Sequence, residues 1–206
     1  MPYAAPEDIV NVALIEAGQQ RLIADLYEGS PAARAALATY GQTRDELLRA
    51  RDWPFARRTL ALTLLKGPPP PGGFNPNQPW TTAYPPPGWL YEYAYPSDCL
   101  KLGAIVAPPG LMFDLDPQPS VWRLCNDDTL SPAQQVILTN TSSAIAVYTG
   151  QITDPGTWNN DYTEALIKIL ASKLSKALLQ GQMSAVSAKE NLSEGAAIVA
   201  SSSKTG

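Results

Sequence analysis

Residues 161–178 read DYTEALIKILASKLSKAL. Tyr162, Ala165, Leu166, Ile169, Leu170, Leu174, Ala177 and Leu178 recur at the 3.6-residue spacing of an amphipathic helix. Lys168, Lys173 and Lys176 are left for the solvent side. Asp161 and Glu164 have the spacing of a capping box, with Asp in place of the usual Ser or Thr. Gly181 breaks the pattern, and an alanine-rich helix is expected over about 184–200, with Ala185, Ala188, Leu192, Ala196 and Val199 on one face. Residues 201–206 read as a flexible tail.

The other end of the chain is helical by the same criteria. Over residues 6–18, Pro6 suits the first helical position, Glu7 and Asp8 favour the positive end of the dipole, and Gly18 terminates the run. Ile9, Val10, Ala13, Leu14 and Ala17 share a face. A short helical segment is expected around residues 22–27. Ser30-Pro31 is a start signal, an N-cap followed by a proline at N1. The helix behind it should reach about Arg51, with Ala33, Ala36, Leu37, Tyr40, Leu47 and Leu48 facing the core and Gly41 as a possible bend.

Between these ends the composition changes. Of the 20 prolines, 16 lie between Pro54 and Pro132, and residues 156–206 contain none. Proline lacks an amide donor and blocks helix interiors. The middle instead holds short runs rich in branched and aromatic residues, at 60–65, 89–95, 100–106, 135–139 and 144–148. Tyr91, Tyr93 and Tyr95 alternate, so on a strand they share one face. Residues 67–91 carry no charge and nine prolines, which predicts an extended loop at 67–88. The expected class is α+β: an α-helical bundle from residues 1–58 and 156–200, with a β-rich, proline-rich insertion at 59–155.

A chain of 206 residues can bury roughly 70% of its unfolded surface, enough for a real core. Histidine is absent, which removes Ser-His-Asp and Cys-His catalysis and His-ligated zinc. Cys99 and Cys125 cannot form a CxxC motif, and in a chain whose start lacks an export signal they read as reduced, buried thiols. No apolar run approaches the roughly 20 residues of a membrane span. A soluble protein made in a cytoplasm, with no membrane partner, is expected. The net charge of -4 is concentrated in residues 67–160, where Lys101 and Arg123 face Glu92, Asp98, Asp114, Asp116, Asp127, Asp128 and Asp154. That distribution argues against a surface that grips nucleic acid, which needs clustered cations.

Several residue groups could carry chemistry. The carboxylate pairs Glu7-Asp8, Asp45-Glu46, Asp114/Asp116 and Asp127-Asp128 do not provide a glycosidase's spacing across a cleft. Asp114 and Asp116 could share a divalent cation on a strand, but turn chemistry accounts for all four pairs. No phosphate-cradling loop is present, and Ser201, Ser202 and Ser203 have no base in sight. The chain is therefore expected not to be an enzyme and to need no cofactor or metal. Five of the eight arginines, at 44, 49, 51, 57 and 58, interleave with Trp53 and Phe55. They suit a protein contact or a solvated helix face better than nucleic acid. Trp53 and Phe55 themselves are expected to seal the helices against the sheet. The aromatics Trp80, Tyr84, Trp89, Tyr91, Tyr93 and Tyr95 could form a sugar- or peptide-binding face, or pack on the sheet or on a neighbouring copy. The intermolecular version is preferred.

The order of these features resembles a family. Ile9-x-Asn11-x-Ala13-Leu14, Gly18, Leu26-Tyr27-Glu28-x-Ser30 and an alanine-rich helix to Tyr40 come first, followed by Arg44, Leu47-Leu48 and Trp53-x-Phe55-Ala56. Tyr93-x-Tyr95-Pro96-Ser97-Asp98-Cys99-Leu100 marks the middle. Val147-Tyr148, Ile152-Thr153-Asp154, Trp158 and the Ala165-to-Leu174 helix close it. Together they resemble the phage head-to-tail adaptor family that includes tail tubular protein A and the podophage tail accessory factor. The likeness covers residues 7–66 and 89–180, while the proline-rich loop stands apart as an insertion and Pro54 departs from the family's polar residue.

The resemblance implies a structural virion protein: a dodecameric ring beneath the portal, joined to a nozzle or tail-tube protein on its other side. Double-stranded DNA would pass through its channel without specific binding. Leu192, Ala196, Ile198 and Val199 would contact the portal, and Arg57, Arg58, Trp80, Tyr84 and Trp89 a neighbouring subunit or the tail. Asp114, Asp116, Asp127 and Asp128 lining the channel would repel phosphates and let the genome slide. The alternatives are a head-completion or stopper protein of the neck, a carbohydrate-binding tail module using the Trp and Tyr cluster, and a hydrolase using an aspartate pair.

Overall fold

A computed structural model of the chain describes residues 3–68, 81–108, 119–178 and 182–201. The chain divides into two compact units, one from Met1–Ala56 with Gln151–Gly206, the other Arg57–Gly150.

The first unit contains α1 (Pro6–Glu16), α2 (Pro31–Ala50), α3 (Asn160–Leu178) and α4 (Gln182–Ser201). At the start of α1 the Asp8 carboxylate accepts the Ala5 N–H at 3.1 Å. At its end Gly18 adopts φ +81° and donates its N–H to the Ile15 carbonyl. Such left-handed closure favours glycine. Ile9, Val10, Ala13 and Leu14 are buried. The helical segment expected at 22–27 is not formed. Asn11 instead clips that stretch to α1: its side-chain amide donates to the Ile23 carbonyl and accepts the Ile23 N–H, both at 2.9 Å. The Asp25 and Glu28 carboxylates accept the Tyr27 and Ala24 amides, offering the backbone an alternative to helix.

Ser30 caps α2 as expected, its hydroxyl accepting the Ala33 N–H at 3.1 Å, and the helix runs unbroken through Gly41. Ala33, Ala36, Tyr40, Leu47 and Leu48 are buried, whereas Leu37 is 45% exposed. The cap of α3 is Asn159 rather than Asp161, with its side-chain oxygen accepting the Tyr162 N–H at 3.0 Å. Two lysines of α3 expected in solvent are tied to neighbours. Lys168 bridges Glu16 and Glu194 at 3.0 Å each, and Lys173 donates to Glu46 at 2.8 Å.

The aromatic centre of this unit is Tyr162. Trp53, Phe55 and Trp158 all meet its ring edge-on, with centroids 5.2, 5.2 and 5.0 Å away. Its hydroxyl donates to the Arg44 carbonyl, and the Trp53 indole N–H donates to the Leu47 carbonyl, each at 2.9 Å. Trp53 and Phe55 thus pack among helices.

The second unit contains β1 (Arg57–Ala61), β2 (Leu64–Lys66), β3 (Tyr91–Ala94), β4 (Cys99–Val106), β5 (Trp122–Asp127), β6 (Gln134–Thr139) and β7 (Ile145–Gly150). They form two antiparallel sheets, ordered β1-β7-β4 and β2-β3-β6-β5. The single strand expected at 60–65 is split between the two sheets. Strand β5, not foreseen, pairs in register with β6 from Trp122↔Thr139 to Asp127↔Gln134. Tyr93 and Ile137 of the second sheet share a core with Leu102, Ile105, Ala146 and Tyr148 of the first. Tyr91 and Tyr95 pack against that core on the same face as Tyr93, as alternation predicts. Cys99 and Cys125 are unpaired but only partly buried, and burial pushes both thiols up.

The expected α+β class is corrected by this arrangement. Among the described residues the chain is a mixed α/β protein with four helices and two antiparallel sheets, not a terminal helical bundle flanking one β insertion. The reason lies in α3. It buries Thr163, Ile167, Ser172 and Ser175 as well as its aliphatic stripe, so it packs against α1, α2 and α4 as a hub while α1 and α2 scarcely meet. No helix among the described residues is long and apolar enough to cross a membrane.

Candidate interaction surfaces

Helix α4 lies on α3 through small residues. Over its residues 188–201, Ala188, Asn191 and Gly195 are the buried positions. A Cβ on Gly195 would stand 2.8 Å from the Ile169 Cγ1 and 3.3 Å from the Lys168 Cβ, so the two backbones approach closely there. The face drawn through Ala188, Leu192, Ala196 and Val199 is therefore only partly buried. Leu192 is 45% exposed and Ala196 is exposed, one turn apart, while Ile198 and Val199 are partly buried. The Val199 carbonyl accepts from the Arg51 guanidinium at 3.5 Å. The signal missed was the 188/191/195 spacing of two small residues and an amide, with Gly195 as its marker.

All five residues of β1 are exposed. Arg57 is among them, but Arg58 is engaged within its own sheet. Its guanidinium pairs with the Asp98 carboxylate, whose other oxygen accepts the Tyr148 hydroxyl at 2.9 Å. Burial and then Asp98 push that phenol's pKa up. The Arg58 stem covers Gly150, where a Cβ would come within 2.6 Å of the Arg58 Cδ. Arg44 pairs with Asp45 at 2.8 Å, and Arg51 lies 5.0 Å over the Trp53 ring. Three of the five clustered arginines thus face partners in their own chain.

The aromatic cluster is divided. Trp80 lies outside the described residues. Tyr84 and Trp89 are partly buried in turns closed by their own amides, which donate to the Thr81 and Pro86 carbonyls. Tyr93 is 2% exposed, and its hydroxyl donates to the Thr141 carbonyl while accepting the Ala144 N–H. A sugar platform needs exposed rings; Tyr93 is buried in the core, and Tyr91 and Tyr95 are partly buried against it.

Asp114 and Asp116 also lie outside the described residues, and Asp128 is exposed. Asp127, expected in a channel wall, is 8% exposed, and its carboxylate holds the Lys66 ammonium and the amide and hydroxyl of Thr129. Burial alone would raise its pKa, but those hydrogen bonds hold it well below the usual carboxylate range. Beside it sits Glu92, which the sequence reading did not single out. It is 1% exposed, with Oε1 3.5 Å from the Lys66 ammonium. Burial, and then the Asp127 carboxylate, push it up to about 7 against the pull of Lys66.

A cleft of about 370 Å3 opens beside the start of α3, lined in part by Val12, Glu16, Trp158, Thr163, Ile167 and Lys168. The buried Trp158 indole N–H has no acceptor among the described residues. The Glu16–Lys168 ion pair forms part of the wall. Compared with known proteins, the chain matches no family model and no curated protein.

Proposed function

We propose that this chain is a structural, non-enzymatic virion protein of the neck, a head-to-tail adaptor. Copies form a ring, a dodecamer as the resemblance implies, that joins the capsid portal to the tail's nozzle or tube and leaves a channel for DNA. It would be assembled in the host cytoplasm. The observation that supports this reading most is the outward side of α4. That helix is held to α3 by Ala188, Asn191 and Gly195, which leaves Leu192 and Ala196 exposed at i and i+4. An apolar pair at this spacing suits a helix laid into a partner's groove, and both residues belong to the segment expected to meet the portal. On this reading the channel wall loses Asp127, which is committed to Lys66, and keeps Asp128.

Deleting the gene from its phage and imaging the particles tests the reading. DNA-filled heads that lack tails or leak their genome are expected, and normal tailed particles would reject the connector role. Binding of the full chain to purified portal separates an adaptor from a stopper that does not touch it. The double variant Leu192→Glu/Ala196→Glu should lose portal binding with an unchanged circular dichroism spectrum. Retained binding would remove α4 from the contact.

A further inference from the structure

We propose that Glu92 and Asp127 hold one proton between them beside Lys66, and that release of this proton is a switch that loosens strand β2 from its sheet. The charge count carries the inference. Two carboxylates and one ammonium share a site where Glu92 is 1%, Asp127 8% and Lys66 11% exposed at the side chain. One buried cation balances one buried anion, and a second anion beside them is costly to ionise. The hydrogen bonds decide which acid keeps the proton. Asp127 accepts from Lys66 on one oxygen and from the Thr129 amide and hydroxyl, at 2.9 and 2.7 Å, on the other. Glu92 Oε1 is buried without a hydrogen-bond partner. Asp127 is therefore the anion, and Glu92 the neutral acid.

The other groups around Glu92 do not restore balance. Lys66 comes from β2, and Asp127 and Cys125 from β5, where Arg123 acts on the Cys125 thiol. Strand β6, between β3 and β5, carries no titratable residue. When Glu92 gives its proton to water, the site holds two negative charges against one positive. The weak member is β2, a three-residue edge strand whose pairing with β3 is irregular between Leu64 and Lys66. Lys66 is its charged anchor, and a second carboxylate draws water to that anchor.

The absence of histidine leaves this response uncrowded. Ordinary carboxylates titrate below pH 5 and thiols and lysines above 8. Glu92 alone among the described side chains is moved to about 7. Its folded pKa lies above the unfolded value, so its contribution is full below about pH 4.5 and falls as pH rises through about 7. Asp127 has the opposite sign, but its contribution is lost only at pH values below this window.

The test is carboxyl carbon NMR of the full chain between pH 5 and 8.5, with amide hydrogen exchange of β2. Glu92 should titrate near pH 7. Protection of the β2 amides, corrected for intrinsic exchange, should fall on the order of tenfold from pH 5.5 to 8. Glu92→Gln, which mimics the neutral acid, should keep β2 protected at both values, and Asp127→Asn should lower the pH at which Glu92 titrates. Titration of Glu92 below pH 5.5, or β2 protection independent of pH, overturns the proposal. So does the same pH-dependent loss in Glu92→Gln. The wild-type titration decides the matter if either variant fails to fold.

Discussion

Helices α3 and α4 are successive in the chain and nearly equal in length, at 19 and 20 residues, yet they are held by different physics. Helix α3 buries large side chains, among them Tyr162, Leu166, Leu170 and Leu174, and each fully buried aliphatic removes apolar area worth roughly 1.5–3 kcal/mol from water. Over residues 188–201, helix α4 has little such area on its inner side. Ala188 and Gly195 let its backbone approach α3, where many short-range dispersion contacts replace a few large side chains. The first mode leaves a legible stripe of aliphatic residues. The second hides the inner face and puts a leucine, Leu192, on the outside. A buried helix face is thus recognised by size in one case and by smallness in the other.

Three substitutions test this contrast. Trp53→Ala removes a fully buried ring stacked edge-on to Tyr162 and should cost about 3–5 kcal/mol, read as a lowered urea midpoint. Unchanged stability would show that the α3 side does not depend on large aromatics. Gly195→Leu drives a side chain into Ile169 and Lys168 and should cost about 1–3 kcal/mol in the same assay. If the variant were as stable as wild type, the close approach of α4 would not hold in solution. The smallest effect is expected at Leu192→Ala, within about 0.5 kcal/mol, because Leu192 is half exposed. A loss comparable to that at Gly195 would reverse the assignment of inner and outer faces.

What could be read from the sequence follows from the range of the signal. Ser30-Pro31 and the Tyr162-to-Leu174 stripe act within a few residues of themselves, and α2 and α3 lie where those signals put them. Periodicity says that a face is apolar, but not how many neighbours will cover the helix. The threonine and serines buried on α3 were therefore invisible as signs of a hub. Strand β5 was missed because Trp122, Leu124 and Cys125 are interrupted by Arg123 and followed by Asn126 and Asp127, a pattern also typical of a turn. The site around Glu92 was out of reach for another reason: Lys66 and Asp127 are 61 residues apart, and only the sheet brings them together. In the candidate surfaces the residue types were visible, but their engagement was not. Nothing local to Arg58 or Asp127 announces Asp98 or Lys66 as its partner.

The clip between Asn11 and Ile23 makes position 11 a chemical lock with one key. The site demands a donor and an acceptor side by side, at the reach of a single methylene. Aspartate offers two acceptors and would turn one of them against the Ile23 carbonyl. Glutamine carries both groups but is one carbon too long, and leucine has the shape without either group. The slow hydrolysis of this amide to an acid, which ages asparagine in many proteins, would here release the stretch before α2 from α1. A gain of about 1 Da, water taken up and ammonia released, would then have a structural consequence.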